Sequence, residues 1–201
     1  MEIFITRHGE SDPSFPEPDL PLTEKGEEQA RLLGERMKNE KIDYFYSSPL
    51  VRAVRTASYT AEKFGGEIRI LPLLFEVGTP PDFVSKSEEE MKEIYPYVSF
   101  PMGEKTSPCE ETDEESFERA KKAIEYIVTH HKENDTVFIA AHGTFNNLLT
   151  LAALGFPNRE NFNFSQDNTG LTLIRYITDN KIQKTKAAYV NCTRHLPEEL
   201  I

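Results

Sequence analysis

Met1-Glu-Ile-Phe-Ile-Thr-Arg7-His8-Gly9-Glu10-Ser11 begins the chain as an apolar run of strand length that stops at an arginine, a histidine and a glycine. Far downstream, Thr136-Val-Phe-Ile-Ala-Ala-His142-Gly143 repeats the pattern. Short runs that are apolar throughout suit strands buried on both faces, as in a parallel sheet between helices. Two such runs that both end in His-Gly would deliver two histidines to one place.

Outward from these runs, strand and helix signals alternate. Residues 12–22 are proline-rich and read as loop. Thr23 then caps a helix whose apolar positions Ala30, Leu33 and Met37 recur at helical spacing. Asp43-Tyr-Phe-Tyr46 reads as a second strand, ending at Ser47-Ser48-Pro49, where Ser48 suits an N-cap and Pro49 the first helical position. That helix runs to Gly65-Gly66, and Glu67-Ile-Arg-Ile-Leu71 reads as a third strand. Thr112 and Glu115 form a capping box for a helix over 112–132, with Phe117, Ala120, Ile124 and Ile127 on one face. A helix through 148–154 follows the second His-Gly, and strands over 171–178 and 181–190 flank Asp179-Asn180 as a hairpin turn. The alternation predicts an α/β protein of one domain over residues 1–201. Its form is a three-layer αβα sandwich with a mostly parallel central sheet and an antiparallel closing edge. Residues 77–115 break the rhythm with prolines, Ser87-Glu-Glu-Glu90 and the aromatics Phe83, Tyr95, Tyr97 and Phe100. They are expected to form an inserted, partly helical cap over the active site.

A chain of 201 residues, 38% hydrophobic and 28% charged, is ordinary globular material with length enough for a sizeable core. The net charge of −11 speaks against a general binder of nucleic acid or anionic membrane. Any anion site must then be a local concentration of arginine. Cys109 and Cys192 have neither metal-like nor redox-like spacing and are expected to be free thiols in a reducing cytosol. No basic leader with an apolar core opens the sequence, and no apolar run nears the ~20 residues of a bilayer span, so a cytoplasmic protein is expected.

In an open α/β sheet, ligands bind beyond the carboxyl ends of the strands. Four expected strands are followed there by Arg7-His8-Gly9-Glu10, by Ser47-Ser48 and then Arg52, by Glu76, and by His142-Gly143. Arg52 falls in the first turn of its helix, where free N–H groups already favour an anion. Guanidinium groups grip phosphate through paired hydrogen bonds. A phosphate held there would lie within reach of a neutral His8 as nucleophile, and Glu76 is the best-placed acid to protonate a leaving alkoxide.

These residues carry a resemblance. Arg7-His8-Gly9-Glu10, Leu20-Pro-Leu-Thr-Glu-Lys-Gly26, Ser47-Ser-Pro-Leu-Val-Arg52-Ala-Val-Arg-Thr-Ala57 and Ala141-His142-Gly143 together resemble the histidine phosphatase superfamily, in its phosphoglycerate-mutase-like branch. Glu111-Thr112-x-x-Glu115-x-Phe117-x-Arg119 resembles the family's segment before its long helix, with Glu110 where a glycine is usual. The resemblance implies that His8 is the phosphorylated nucleophile and that Arg7, Arg52 and His142, with Gly143 beside them, form the phosphate pocket. Glu76 aligns with the proton donor, and Glu10 and Glu89 are the substitutes. Ser14 falls where mutase relatives commonly carry an asparagine that touches phosphate, so it joins the substrate-binding residues. No cofactor or metal is implied, and the partner expected is a small phosphorylated substrate.

Departures from the mutase pattern favour a phosphatase. Phe75-Glu-Val-Gly-Thr-Pro80 and His142-Gly-Thr-Phe145 stand where mutases carry extra basic residues and an asparagine, and residues 77–115 hold three lysines and no arginine among many carboxylates. A second phosphate would meet like charge there. The alternatives are a phosphoglycerate mutase, a non-catalytic sensor of phosphate esters, and a metal hydrolase using His8, Glu10, Glu76 and His142. A mildly acidic to neutral optimum is expected, because His8 must be neutral while Glu76 keeps its proton. Oligomeric state leaves no signature.

Overall fold

The structure, a computed structural model, describes residues 1–14, 19–80, 83–103, 110–157, 162–179 and 182–201. Strand β1 (Glu2–Arg7) is central because both its faces meet apolar surface: Ile3 and Ile5 look to one side and Phe4 to the other. Strand β5 (Thr136–Ala141) divides in the same way, Val137, Ile139 and Ala141 against Phe138 and Ala140. The continuous apolar runs are thus two alternating faces, each covered by helices.

On one face lie α4 (Asp113–His130) and α5 (Gly143–Ala153), which supply Phe117, Ala120, Ile124, Phe145 and Leu149 to the core. On the other lie α1 (Glu24–Met37) and α2 (Val51–Ala61), which supply Leu33, Met37, Val54 and Ala57. With β2 (Tyr44–Ser47), β3 (Ile68–Ile70), β4 (Val98–Ser99), β6 (Leu171–Asp179) and β7 (Ile182–Cys192), the described strands form one sheet in the order β4-β3-β2-β5-β1-β6-β7. Pairing is parallel from β4 to β1 and antiparallel from β1 through β6 to β7, so the expected three-layer sandwich is the observed one. The hairpin turn expected at Asp179-Asn180 runs into residues 180 and 181, which lie outside the described residues, as does Cys109.

Three local features differ from the sequence reading. Ser48 does not cap α2; the helix starts later, at Val51, whose N–H is taken by the Asp19 carboxylate at 2.7 Å. Within 77–115, α3 (Glu88–Ile94) is capped by a Ser87–Glu90 box, and Val98–Ser99 pair with β3, so this insertion also extends the sheet. His195, near the C-terminus, has a partner that the sequence does not announce: its Nε2 meets the Thr169 hydroxyl at 3.1 Å, and burial lowers its pKa to about 4. Among the described residues no helix is long and apolar enough to cross a membrane.

Candidate active site

Sheet register assembles the site. Arg7 pairs with Ala141 and Ser47 with Ala140, so the residues that follow, His8, Ser48 and His142, emerge side by side at the carboxyl ends of three parallel strands. The His8 and His142 rings lie 5.2 Å apart between centroids. Strand β2 feeds α2, whose first turn carries Arg52, and its Nε donates to His8 Nε2 at 3.2 Å. Gly9 lets this turn lie against α1: a Cβ there would come within 2.4 Å of the Gly26 carbonyl oxygen. The Leu20–Gly26 segment of the motif therefore has a steric reason.

Hydrogen bonds fix the state of His8. Its Nδ1 donates to the Gly9 carbonyl at 2.6 Å, which leaves the lone pair on Nε2, the atom facing Arg52. The ring is 5% exposed; burial first, then the Arg52 charge, lowers its pKa to about 3. His8 is therefore a neutral imidazole with its nucleophilic nitrogen aimed among cations.

His142 is fully buried and its pKa lies well below the ordinary value, chiefly through burial and then through His8 and Arg52. Its Nε2 lies 2.7 Å from Ser48 Oγ, which also accepts the Leu50 N–H at 3.3 Å. If that hydroxyl gives its proton to Nε2, the His142 proton sits on Nδ1. His142 Nδ1, Arg7 Nε and Arg52 Nη1 are all buried and have no partner among the described residues. Orphaned buried donors cost about 1–3 kcal/mol each, so the two guanidinium N–H groups, joined by His142 Nδ1 in that tautomer, mark a place built for an anion beside the nucleophile.

Arg7 is oriented by a segment that sequence reasoning passed over. Its Nη1 donates to the Gln166 carbonyl at 2.8 Å, Asn168 Nδ2 donates to the His8 carbonyl at 2.9 Å, and the Thr169 N–H donates to the Arg7 carbonyl at 3.1 Å. Thr169 has φ 56°, an expensive conformation for a β-branched side chain, held by these bonds and by His195. The Asp167-Asn-Thr-Gly170 cluster before the last hairpin is the turn signal that could have flagged it.

Glu76 reaches the site from the turn after β3. Its Oε1 accepts the N–H groups of Val77 at 2.9 Å and Phe145 at 3.0 Å, and Oε2 lies 3.4 Å from the Thr144 nitrogen. It thus sits over the start of α5. Burial raises its pKa, against the opposing pull of those N–H groups and of Arg52. Oε2, the less engaged oxygen, is the one free to carry a proton. Arg52 in turn feels the Glu76 charge.

The remaining candidates fall elsewhere. Ser14 is exposed and gives both its N–H and its hydroxyl to the Asp12 carboxylate, at 2.9 and 2.6 Å. Glu10 accepts from the Thr23 hydroxyl at 2.9 Å, and Glu89 is exposed on α3. Among the described residues no three His, Cys, Asp or Glu side chains gather as a metal site would require. Gly143 lies against Arg7: a Cβ there would stand 3.4 Å from Arg7 Nε. Beyond Arg7, Glu76 and Gly143 opens a cavity of about 1220 Å³, with Phe117, Phe162 and Phe164 on its wall beside Asp113, Glu114 and Glu118.

The chain is similar to known proteins. A putative phosphoserine phosphatase of Hydrogenobacter thermophilus is 26% identical across 96% of both chains. A probable phosphoglycerate mutase of Photorhabdus laumondii is 40% identical over a segment that spans 38% of each chain. Among solved structures, the ecdysone phosphate phosphatase of Bombix mori in complex with tungstate superposes with a TM-score of 0.73, at 20% identity, covering 96% of this chain and 93% of that one. A mycobacterial glucosyl-3-phosphoglycerate phosphatase holding inorganic phosphate gives 0.70 at 20% identity, covering 98% and 99%. The profile of the histidine phosphatase superfamily (branch 1) matches residues 3–187, and the chain belongs to that superfamily.

Proposed function

We propose that this protein is a cofactor-independent phosphomonoesterase that works through a phosphohistidine at His8 on a small phosphorylated metabolite. Hydrolysis of phosphoric monoesters follows from its family and from the phosphatases among its relatives. The phosphohistidine route is supported above all by one observation: His8 Nε2 keeps its lone pair while three buried nitrogens, Arg7 Nε, Arg52 Nη1 and His142 Nδ1, have no partner among the described residues.

Arg7, Arg52 and His142 would hold the phosphoryl oxygens, as phosphoryl transfer asks mainly for positioning and positive charge. The His8 Nε2 lone pair attacks phosphorus, the bond from phosphorus to the ester oxygen breaks, and Glu76 gives its proton to the departing alkoxide. Water then attacks the phosphohistidine, Glu76 takes back a proton, and the nitrogen–phosphorus bond returns its electrons to His8. Acid and base are one group in its two states.

Relatives of both kinds, phosphatases and mutases, match this chain. The cavity wall supports the phosphatase. Arg7 is the one cation among its described lining residues, whereas Asp113, Glu114 and Glu118 are carboxylates, so a second phosphate would meet like charge and no second cation among them. The substrate class favoured is therefore a monoester with a single phosphate. Phosphate release from p-nitrophenyl phosphate in excess EDTA, compared between the native protein and His8→Ala, tests the reading. Turnover that survives EDTA and vanishes in the variant is expected. Turnover that survives in the variant would overturn it, and interconversion of the two monophosphoglycerates would restore the mutase.

A further inference from the structure

The Glu111–Arg119 pair has no part in the chemistry above, yet it is built with more care than a structural ion pair requires. Arg119, on α4, is 7% exposed, and its Nε and Nη2 grip the Glu111 carboxylate at 2.7 to 3.1 Å. Its Nη1 donates to two backbone carbonyls, of Leu73 at 2.9 Å and of Phe75 at 2.8 Å. Phe75 is the residue immediately before Glu76. The guanidinium carbon also lies 4.1 Å from the centroid of the Phe145 ring, and the Phe145 N–H is one of the two short donors to Glu76 Oε1. One side chain therefore touches both supports of the Glu76 carboxyl: the turn that carries it and the helix start that receives it.

We infer that Arg119 is a positioning residue for Glu76, and that Glu111 fixes the rotation of its guanidinium. The chemistry needs arginine. A planar fork can offer two N–H groups to a carboxylate and two more to separate carbonyls at once, whereas a lysine ammonium has three donors at one point. Glu76 sits after a short 3-10 turn (Pro72–Leu74) rather than in a strand or helix, so its own backbone gives it little support. Displacement of about 1 Å at a proton donor is enough to cost on the order of a hundredfold in rate.

This inference rests on Glu76 being the general acid, and leaving-group chemistry separates the two ideas. An aryl phosphate such as p-nitrophenyl phosphate leaves as a stable anion and needs little protonation; glycerol 2-phosphate leaves as an alkoxide and needs a full proton. The ratio of kcat/KM for the two esters is measured in the native protein, Glu76→Gln, Arg119→Lys and Glu111→Gln, with urea unfolding of each. Glu76→Gln should lose on the order of a hundredfold or more on glycerol 2-phosphate and far less on the aryl ester. Arg119→Lys should shift in the same direction, by on the order of tenfold on the alkyl ester, as should Glu111→Gln by less. If Arg119→Lys loses cooperative unfolding, Glu111→Gln, which leaves the arginine in place, decides. Equal losses on both esters in these two variants, or none, while Glu76→Gln keeps its leaving-group dependence, would overturn the positioning role alone. A Glu76→Gln variant without leaving-group dependence would overturn the acid and the clamp together.

Discussion

Histidines buried in the neutral state make folding sensitive to acid, and the size of the effect can be worked out for His8. An unfolded histidine titrates near 6.5, whereas His8 in the fold is held at about 3, by burial and by Arg52. Below pH 6.5 the unfolded chain takes up a proton that the folded protein refuses. The stability that His8 contributes is therefore complete above the unfolded value and is lost as pH falls towards the folded one. The slope approaches about 1.4 kcal/mol per pH unit, so His8 alone removes about 2 kcal/mol between about pH 7 and about pH 5. His142, with its pKa well below the ordinary value, and His195, at about 4, act in the same sense. Most carboxylates titrate below this window, and Glu76, whose pKa is raised, acts in the opposite sense, so the comparison with a His8 variant is what isolates the imidazole. Against a typical stability of about 5–15 kcal/mol the combined loss is large. Urea unfolding at about pH 7, 6 and 5 measures it, with His8→Asn as the control. The native protein should lose about 2 kcal/mol more than the variant across the window. Parallel losses in the two proteins would refute the reasoning, because they would mean that His8 is not held neutral by the fold.

Other consequences are equally specific. Gly26→Ala drives a Cβ to 2.0 Å from the Glu10 carbonyl oxygen and should cost about 1–3 kcal/mol in urea unfolding, whereas Gly78→Ala should cost through its positive φ, since no described residue lies within 4 Å. Ser48→Ala frees His142 to adopt either tautomer and should lower kcat/KM by roughly tenfold; it also leaves the buried His142 Nε2 and the Leu50 N–H without that hydroxyl, so the melting temperature should fall as well. Arg52→Lys cannot serve His8 Nε2 and a phosphoryl oxygen at once and should lower kcat/KM on the order of a hundredfold; near-native turnover would remove Arg52 from the site. Activity on alkyl esters should fall as pH rises through the raised pKa of Glu76, and a profile still climbing above about pH 9 would contradict its role as acid.

Much of this was legible in the residues, for physical reasons. Strands β1 and β5 announce themselves because a strand covered on both faces is apolar at consecutive positions along its middle, and their His-Gly endings mark the carboxyl ends of the strands. The capping box of α4 is equally plain, because its partners are three residues apart. Less was legible where partners are distant in sequence. Ser48 looked like a helix cap because serine before proline usually is one; its hydroxyl is instead spent on His142, ninety-four positions away. Asp19 takes over the helix start from within a proline-rich stretch that shows only loop. Gln166, Asn168 and Thr169 act mostly through backbone groups, which carry no signature in side-chain chemistry. Glu76 could be placed by order along the chain, but its burial, and hence its raised pKa, exists only in the folded protein.

The central claim is a covalent bond between phosphorus and His8. Rapid mixing with a phosphomonoester, quenching in alkali to preserve phosphohistidine, and peptide mapping by mass spectrometry test it most directly. The account predicts a transient phosphate adduct on the peptide carrying His8, which accumulates in Glu76→Gln when an aryl ester is used, because discharge to water then lacks its base. Full turnover with no adduct on that peptide, or an adduct on another residue, would contradict it.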